Sequence, residues 1–244
     1  HSTTTWPTNL WQLIWNTIAM CGGAGLIALS IGTLLAWMVS FYRFPGRKIL
    51  KWMALLPLAL PGYIISFVYV EAFTYAGPLQ QNLRDVFGWA RPDDYWFPDI
   101  RSTVGAMFVL GFALYPYVYI AGLSAFMRQP MNQMHVARTL GRSPLQAFLQ
   151  IALPQARPAL FIGMLLVVME SVNDIGAATF FGVGTLTTAV YSTWLDQGDL
   201  AGAAQLAMLL ITFMALLVYF ETVAKSRVLR DGKNVERLVL TNLD

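Results

Sequence analysis

Three stretches of this chain carry no charged residue: Ser2–Tyr42, Ser102–Met127 and Leu200–Phe220. A helix needs about 20 such residues to cross the hydrocarbon of a bilayer. The whole chain agrees with that reading. Only 12% of its 244 residues are charged, against about 25% in soluble domains, and its mean hydropathy is +0.55. The pattern predicts an all-α membrane protein of about five transmembrane helices, near residues 10–40, 49–75, 103–127, 158–181 and 200–224. Pro57 and Pro61-Gly62 must kink the second, which membrane helices tolerate when neighbours satisfy the freed carbonyls.

Charge orients the helices. Thirteen Lys and Arg residues fall on one side: Arg43, Arg47, Lys48 and Lys51 after helix one, Arg128, Arg138, Arg142 and Arg157 after helix three, and five from Lys225 to Arg237. Arg84, Arg91 and Arg101 fall on the other. The positive-inside rule puts the thirteen in the cytoplasm, with the N-terminus outside. The outer loop near 76–101 is aromatic and acidic. Trp89, Tyr95, Trp96 and Phe97 suit the interfacial belt or a docking surface. Ala24, Ala28, Gly32 and Ala36 repeat every four residues in helix one, a stripe that permits close helix packing.

Cys21 is the single cysteine, which excludes an intramolecular disulfide and a cysteine metal site. The chain opens at His1, which reads as a fragment, and no basic segment marks a signal peptide ahead of the first apolar run. No G-x-x-x-x-G-K-[ST] phosphate loop occurs, so ATP has no cradle in this chain. Nothing points to an enzyme, a nucleic-acid partner or a bound cofactor, and any metal site is undefined by the sequence.

The inner segment "HVARTLGRSPLQAFLQIALPQARPAL", His135–Leu160, is dense in start and stop signals. A short helix near 133–140 should end at Gly141, a glycine C′ position. Ser143, Pro144 and Gln146 form an N-cap, an N1 proline and a capping box. Leu145, Phe148, Leu149 and Ala152 fall on one face of the second helix, which Pro154 should close. A bare connector is usually about 4–6 residues, so a long capped loop reads as a docking element.

This segment resembles the cytoplasmic EAA loop of ABC importer permeases: E-A-A, three residues, G, nine residues, I-x-L-P. Ala137, Gly141, Ile151, Leu153 and Pro154 stand at the matching spacings, with His135 in place of Glu and Val136 in place of Ala. "RFPGRK", "LPLALPGYI", "YAGPLQ", "YWFPDIRS", "LYPYVYI", "DIGAATFFGVGTLTTAVYSTW" and "GDLAGAAQLA" are similar to the ferric-iron branch, in which two halves are often fused. Nearly the whole chain resembles the first half.

The resemblance implies a MetI-like permease architecture in the bacterial inner membrane. Residues 1–244 would form one transmembrane permease domain, half of a longer fused permease or paired with a separate second half. It implies cytoplasmic ABC ATPase subunits that bind the ATP and dock on a coupling-helix loop. A periplasmic substrate-binding protein would deliver the cargo. Thiamine, polyamine, sulfate and phosphonate permeases of the same class remain alternatives to iron.

Glu170 and Asp174 stand four apart in helix four, beside Ser171 and Asn173. That spacing puts both carboxylates on one helix face. Charged side chains at membrane depth usually face a cavity or a partner, so both are candidates for a translocation path, with Glu71 near the outer end of helix two as a third. Oxygen ligands suit a hard cation. Alternatively, Asp174 caps a helix break before Gly176 and Glu170 pairs with a second half. An ion-driven carrier using the two carboxylates as a proton relay, or a membrane scaffold, are the readings outside the class.

Overall fold

The computed structural model describes residues 9–89, 91, 94–129, 139 and 141–241, and for 225–241 the backbone alone. Among these residues the regular structure is helical. Helix α1, Leu10–Phe41, starts at an Asn9 cap whose side chain accepts from the Trp11 N–H. At its other end Arg47 donates to the carbonyls of Val39 at 2.6 Å and Ser40 at 3.3 Å. A cation there satisfies carbonyls that have no partner within the helix.

The second span is broken rather than kinked. Helix α2, Arg47–Met53, leads through a 3₁₀ turn, Leu56–Ala59, to α3, Gly62–Phe73. The two arms of this span meet at 91°. Two prolines, each lacking an N–H, make a continuous ladder impossible here. The Tyr119 hydroxyl donates to the Lys51 carbonyl at 3.2 Å and holds the first arm against the next helix.

Helix α4, Pro78–Phe87, occupies the segment read from sequence as a loop. Its boundary signals were present: proline follows Gly77 at the start, and Gly88 ends it at φ +70°. Gln80, Tyr95 and Arg84 fasten it. Tyr95 donates to Gln80 Oε1 at 2.6 Å, and Arg84 donates to the Tyr75 carbonyl at 2.8 Å while lying over the Tyr75 ring. Phe87, Trp89 and Tyr95 stack in series.

Helix α5, Thr103–Met127, packs along α1 and along α6, Pro144–Asn173. The small-residue stripe of α1 is the reason. Ala24, Ala28 and Ala36 are fully buried. A Cβ on Gly32 would stand 2.7 Å from Val118 Cβ and 2.8 Å from the Tyr119 nitrogen. Gly163 of α6 is equally close to the Val118 Cα. Such contacts bring backbones together where lipid offers no hydrophobic drive.

Two sequence expectations for α6 are corrected. The helix starts at Pro144 rather than Pro158, and Pro154 does not end it. A π-turn over Phe148–Ala152 precedes that proline, with the Leu153 N–H reaching back to the Phe148 carbonyl. The wider turn eases the crowding a proline imposes on the preceding turn. Gln129 Nε2 donates to the Ala152 carbonyl at 2.9 Å. The helix then stops at Asn173, short of the expected 181, because Asp174 leaves the helical region at φ −82°, ψ 80°.

Beyond the break come α7, Ile175–Phe180, α8, Leu186–Leu195, and α9, Leu200–Thr241. The linker between α7 and α8 is tied to the N-terminal half of α1. Asn16 donates to the Gly184 carbonyl at 3.1 Å, and the Leu186 N–H donates to Thr17 Oγ1 at 2.9 Å. The apolar part of α9, Leu200–Ala224, is long enough to span a bilayer and is mostly exposed.

Candidate functional site

Two regions concentrate functional side chains: the segment around Gly141, at the basic end of the bundle, and the junction of the two broken spans.

At the first, Gly141 adopts φ +79°, a left-handed backbone that penalises any residue with a Cβ. Ser143 then caps α6. Its Oγ accepts from the Gln146 N–H at 3.2 Å, and Gln146 Oε1 accepts from the Ser143 N–H at 3.0 Å, the reciprocal capping box read from sequence. The apolar residues that follow divide between two faces rather than sharing one. Phe148 and Ala152 are buried, and Phe148 stacks on Trp37 at 4.4 Å between ring centres. Leu145 and Leu149 are 55% and 48% exposed. The run Gly141–Gln146 is exposed throughout. The root of the element is thus anchored in the core, while its tip and two leucines are presented outward. Ile151, Leu153 and Pro154 are partly buried at the root. His135 and Ala137, and the first short helix near 133–140, lie outside the described residues.

At the second region, the break in the second span packs against the break after α6. A Cβ on Gly62 would collide with the Asp174 carboxylate, and one on Gly176 would stand 2.7 Å from Tyr63 Cβ. The Phe67 and Phe180 rings meet at 5.5 Å. Glycine at both breaks is what allows this approach. The break also changes how the two carboxylates relate. Glu170 belongs to the last turn of α6, whereas Asp174 is the N-cap of α7, so helical spacing does not carry from one to the other. Asp174 is half-buried, and its Oδ1 accepts from the Ala177 N–H at 2.8 Å. Glu170 is exposed and lines a cleft of about 230 Å³ with Pro57–Gly62, Ala113, Leu114 and Tyr117. The expectation that Asp174 caps a break before Gly176 is met.

Glu71 lies near the other end of α3, exposed, and is not part of that wall. Ser66, one turn beyond Gly62, and Ser171, beside Glu170, are fully buried with unpartnered hydroxyls. Sequence reasoning passed over Tyr117 as a wall of the cleft and Ser66 as a buried hydroxyl. Pro116, inside α5, was the available signal for the first. Among the described residues no group of three His, Cys, Asp or Glu side chains comes together as a metal cage.

Discontinuous helices that meet around exposed polar groups recur in transport proteins. The chain belongs to the family of binding-protein-dependent transport system inner membrane components, whose family model matches residues 28–230. Among similar proteins, the Fe(3+)-transport system permease protein FbpB 2 of Haemophilus influenzae is 25% identical over 228 residues, which are 93% of this chain and 40% of that protein. The sulfate transport system permease protein CysW of Escherichia coli is 27% identical over 85% of this chain and 69% of its own length. The molybdenum transport system permease protein ModB of Escherichia coli is 26% identical over 91% of this chain and 97% of its own length. This chain therefore spans less than half of the iron-system relative.

Solved structures share the fold. A bacterial alginate ABC transporter, crystallised with an alginate pentasaccharide-bound periplasmic protein, aligns at a TM-score of 0.70 and 16% identity, covering 91% of this chain and 80% of the other. The inward-facing MetNI methionine ABC transporter aligns at 0.62 and 18% identity, covering 91% and 96%.

Proposed function

We propose that this chain is one half of the permease of an ATP-driven importer, and that its cargo is ferric iron handed over by a periplasmic binding protein. Residues 1–244 act as one transmembrane domain, joined or paired with a second half. The N-terminus faces the periplasm and the long α9 runs into the cytoplasm. ATPase subunits, which bind the ATP, grip the exposed tip from Gly141 to Gln146 together with Leu145 and Leu149, and His135 and Ala137 belong to the same contact. Because Phe148 is wedged against Trp37, movement of the tip is delivered to α1, α5 and α6 rather than lost in a loop. The binding protein docks on the outer surface around α4, where Trp96 is 86% exposed.

The observation that carries this reading is the junction of the two broken spans, with Glu170 in an open cleft between them. Such a junction lines the path in a two-state carrier, because each break is a place where helices pivot without tearing a ladder. A carboxylate at that position attracts a cation and repels sulfate or molybdate, which supports iron over the oxyanions of the CysW and ModB relatives. A path for a cation needs contacts weak enough to release it, so a single open carboxylate suits passage better than a closed cage. An oxyanion permease is the second reading, favoured by the near-complete coverage of ModB.

Vesicles containing the complete complex would be supplied with ATP and with binding protein loaded with ferric iron, sulfate or molybdate. Iron-dependent ATPase stimulation and uptake are expected. Sulfate or molybdate uptake without iron uptake would overturn the cargo. Uptake driven by a proton gradient in the absence of ATP would overturn the class.

A further inference from the structure

Between α1, α6 and α9 the bundle leaves a groove of about 1160 Å³ that the transport reading does not use. Its walls are apolar: Leu29 and Leu34 from α1, Leu160 and Phe161 from α6, Phe220 and Val223 from α9. Among the described residues of this lining, Arg157 is the one cationic side chain. It is exposed, and none of the contacts among the described residues joins it to a carboxylate. Glu221, the buried carboxylate of α9, has an interaction of its own and is not among the residues of the wall. Tyr219, 63% exposed at the groove's edge, has the amphipathic ring that settles at headgroup depth. The chain turns basic just beyond, at Lys225, Arg227 and Arg230.

An apolar slot, with a cation that no described contact joins to a carboxylate, is complementary to one kind of occupant. We propose that this groove holds an anionic phospholipid of the leaflet at the basic end of the bundle, its acyl chain against Leu34 and Phe161 and its phosphate on Arg157. A helix from another protein would fill the apolar walls but would have to bring its own carboxylate to Arg157. The phospholipid brings the phosphate and the chain in one molecule, and basic pockets between transmembrane helices are suited to such headgroups. The site is independent of which cargo is carried.

The test uses the complete complex in nanodiscs containing equal phosphatidylglycerol and phosphatidylcholine, with retained lipid read by native mass spectrometry. The wild type should retain phosphatidylglycerol preferentially. Arg157→Gln should lower that preference about fivefold, the effect of one interfacial basic residue, and Arg157→Lys should keep it. Leu34→Trp, which fills the slot, should release the lipid. Equal retention of the two lipids, or a preference unchanged in Arg157→Gln, would overturn the proposal. A photo-crosslinker at Phe161, with Arg157 intact, removes any dependence on how the variants fold. It should capture phospholipid, and capture of the second permease half instead would show that protein, not lipid, occupies the groove.

Discussion

Asp174 caps α7 through Oδ1, and an asparagine in its place still offers an oxygen to the Ala177 N–H. Asp174→Asn should therefore leave thermal stability of the purified complex nearly unchanged, whereas Asp174→Ala should cost about 1 kcal/mol, the usual value of a lost cap. Equal losses in both variants would assign the effect to charge instead. Glu170 has no such duty in the described contacts and stands exposed in the cleft. Removing its charge with Glu170→Gln should leave assembly intact and lower iron uptake per assembled complex, and full uptake would remove Glu170 from the path. Gly141 poses a third residue-scale question. Among the described residues, chain neighbours aside, no atom lies within 4 Å of the position a Cβ would take; the backbone at φ +79° is what opposes a side chain there. A left-handed cap costs a β-branched residue more than most. Gly141→Val should keep the protein in the membrane with its core intact and lose binding-protein-stimulated ATPase. Normal stimulation would show that the turn does not transmit the signal.

Elements with a strong local cause were readable in advance. The capping box at Ser143 and Gln146, the glycine turn at 141 and the small-residue stripe of α1 each follow from neighbouring residue types, and each is present. What could not be read depends on tertiary context. A proline inside a helical pattern is an ambiguous sign: Pro61 accompanies a 91° bend, whereas Pro154 is absorbed after a π-turn and Pro116 within α5. Tertiary neighbours that satisfy or leave the freed carbonyls decide between these outcomes, and such partners are distant in sequence. The same limit hid the pairing of the two breaks, since Gly62 and Asp174 are far apart in the chain. The stripe itself gives an element-scale test. Gly32→Val would drive methyl groups into the Val118 and Tyr119 backbone region and should separate α1 from α5, read as loss of monodisperse complex on size exclusion. Gly22, on the same helix, has no atom within 4 Å of its would-be Cβ. Gly22→Ala should be neutral or stabilising by up to about 1 kcal/mol. If the two variants behave alike, close backbone approach is not what holds α1.

For the whole molecule, two levels of exposed aromatics bracket the apolar bundle. Trp11 and Trp15 lie near one end of α1, and Tyr42 follows its other end. Helical rise over the residues between Trp15 and Tyr42 gives about 40 Å, close to a bilayer with its headgroup layers at about 40–45 Å. Aromatic belts mark where these interfaces are but not which is the cytoplasmic one. The expected polarity rests on charge, thirteen basic residues in the segments on one side of the spans in sequence and three on the other, because loop cations resist translocation. Part of this excess also serves the fold, since Arg47 closes the end of α1, yet Arg43, Lys48 and Arg142 are exposed or partly exposed at the same level and make no such bond among the described contacts. The orientation can be tested with two single cysteines, after Cys21→Ala, in intact cells. Asp94 belongs to the segment fastened to α4, so Asp94→Cys should react with a membrane-impermeant thiol reagent added outside. Arg142→Cys, at the exposed tip beside Gly141, should react only once the membrane is opened. The reverse pattern would put the tip outside, where no ATPase can reach it, and would undo the coupling assignment while leaving the helical fold untouched. Labelling of both sites from outside would show that the tip is reached through the transport path, and co-purified ATPase subunits should then protect Arg142→Cys.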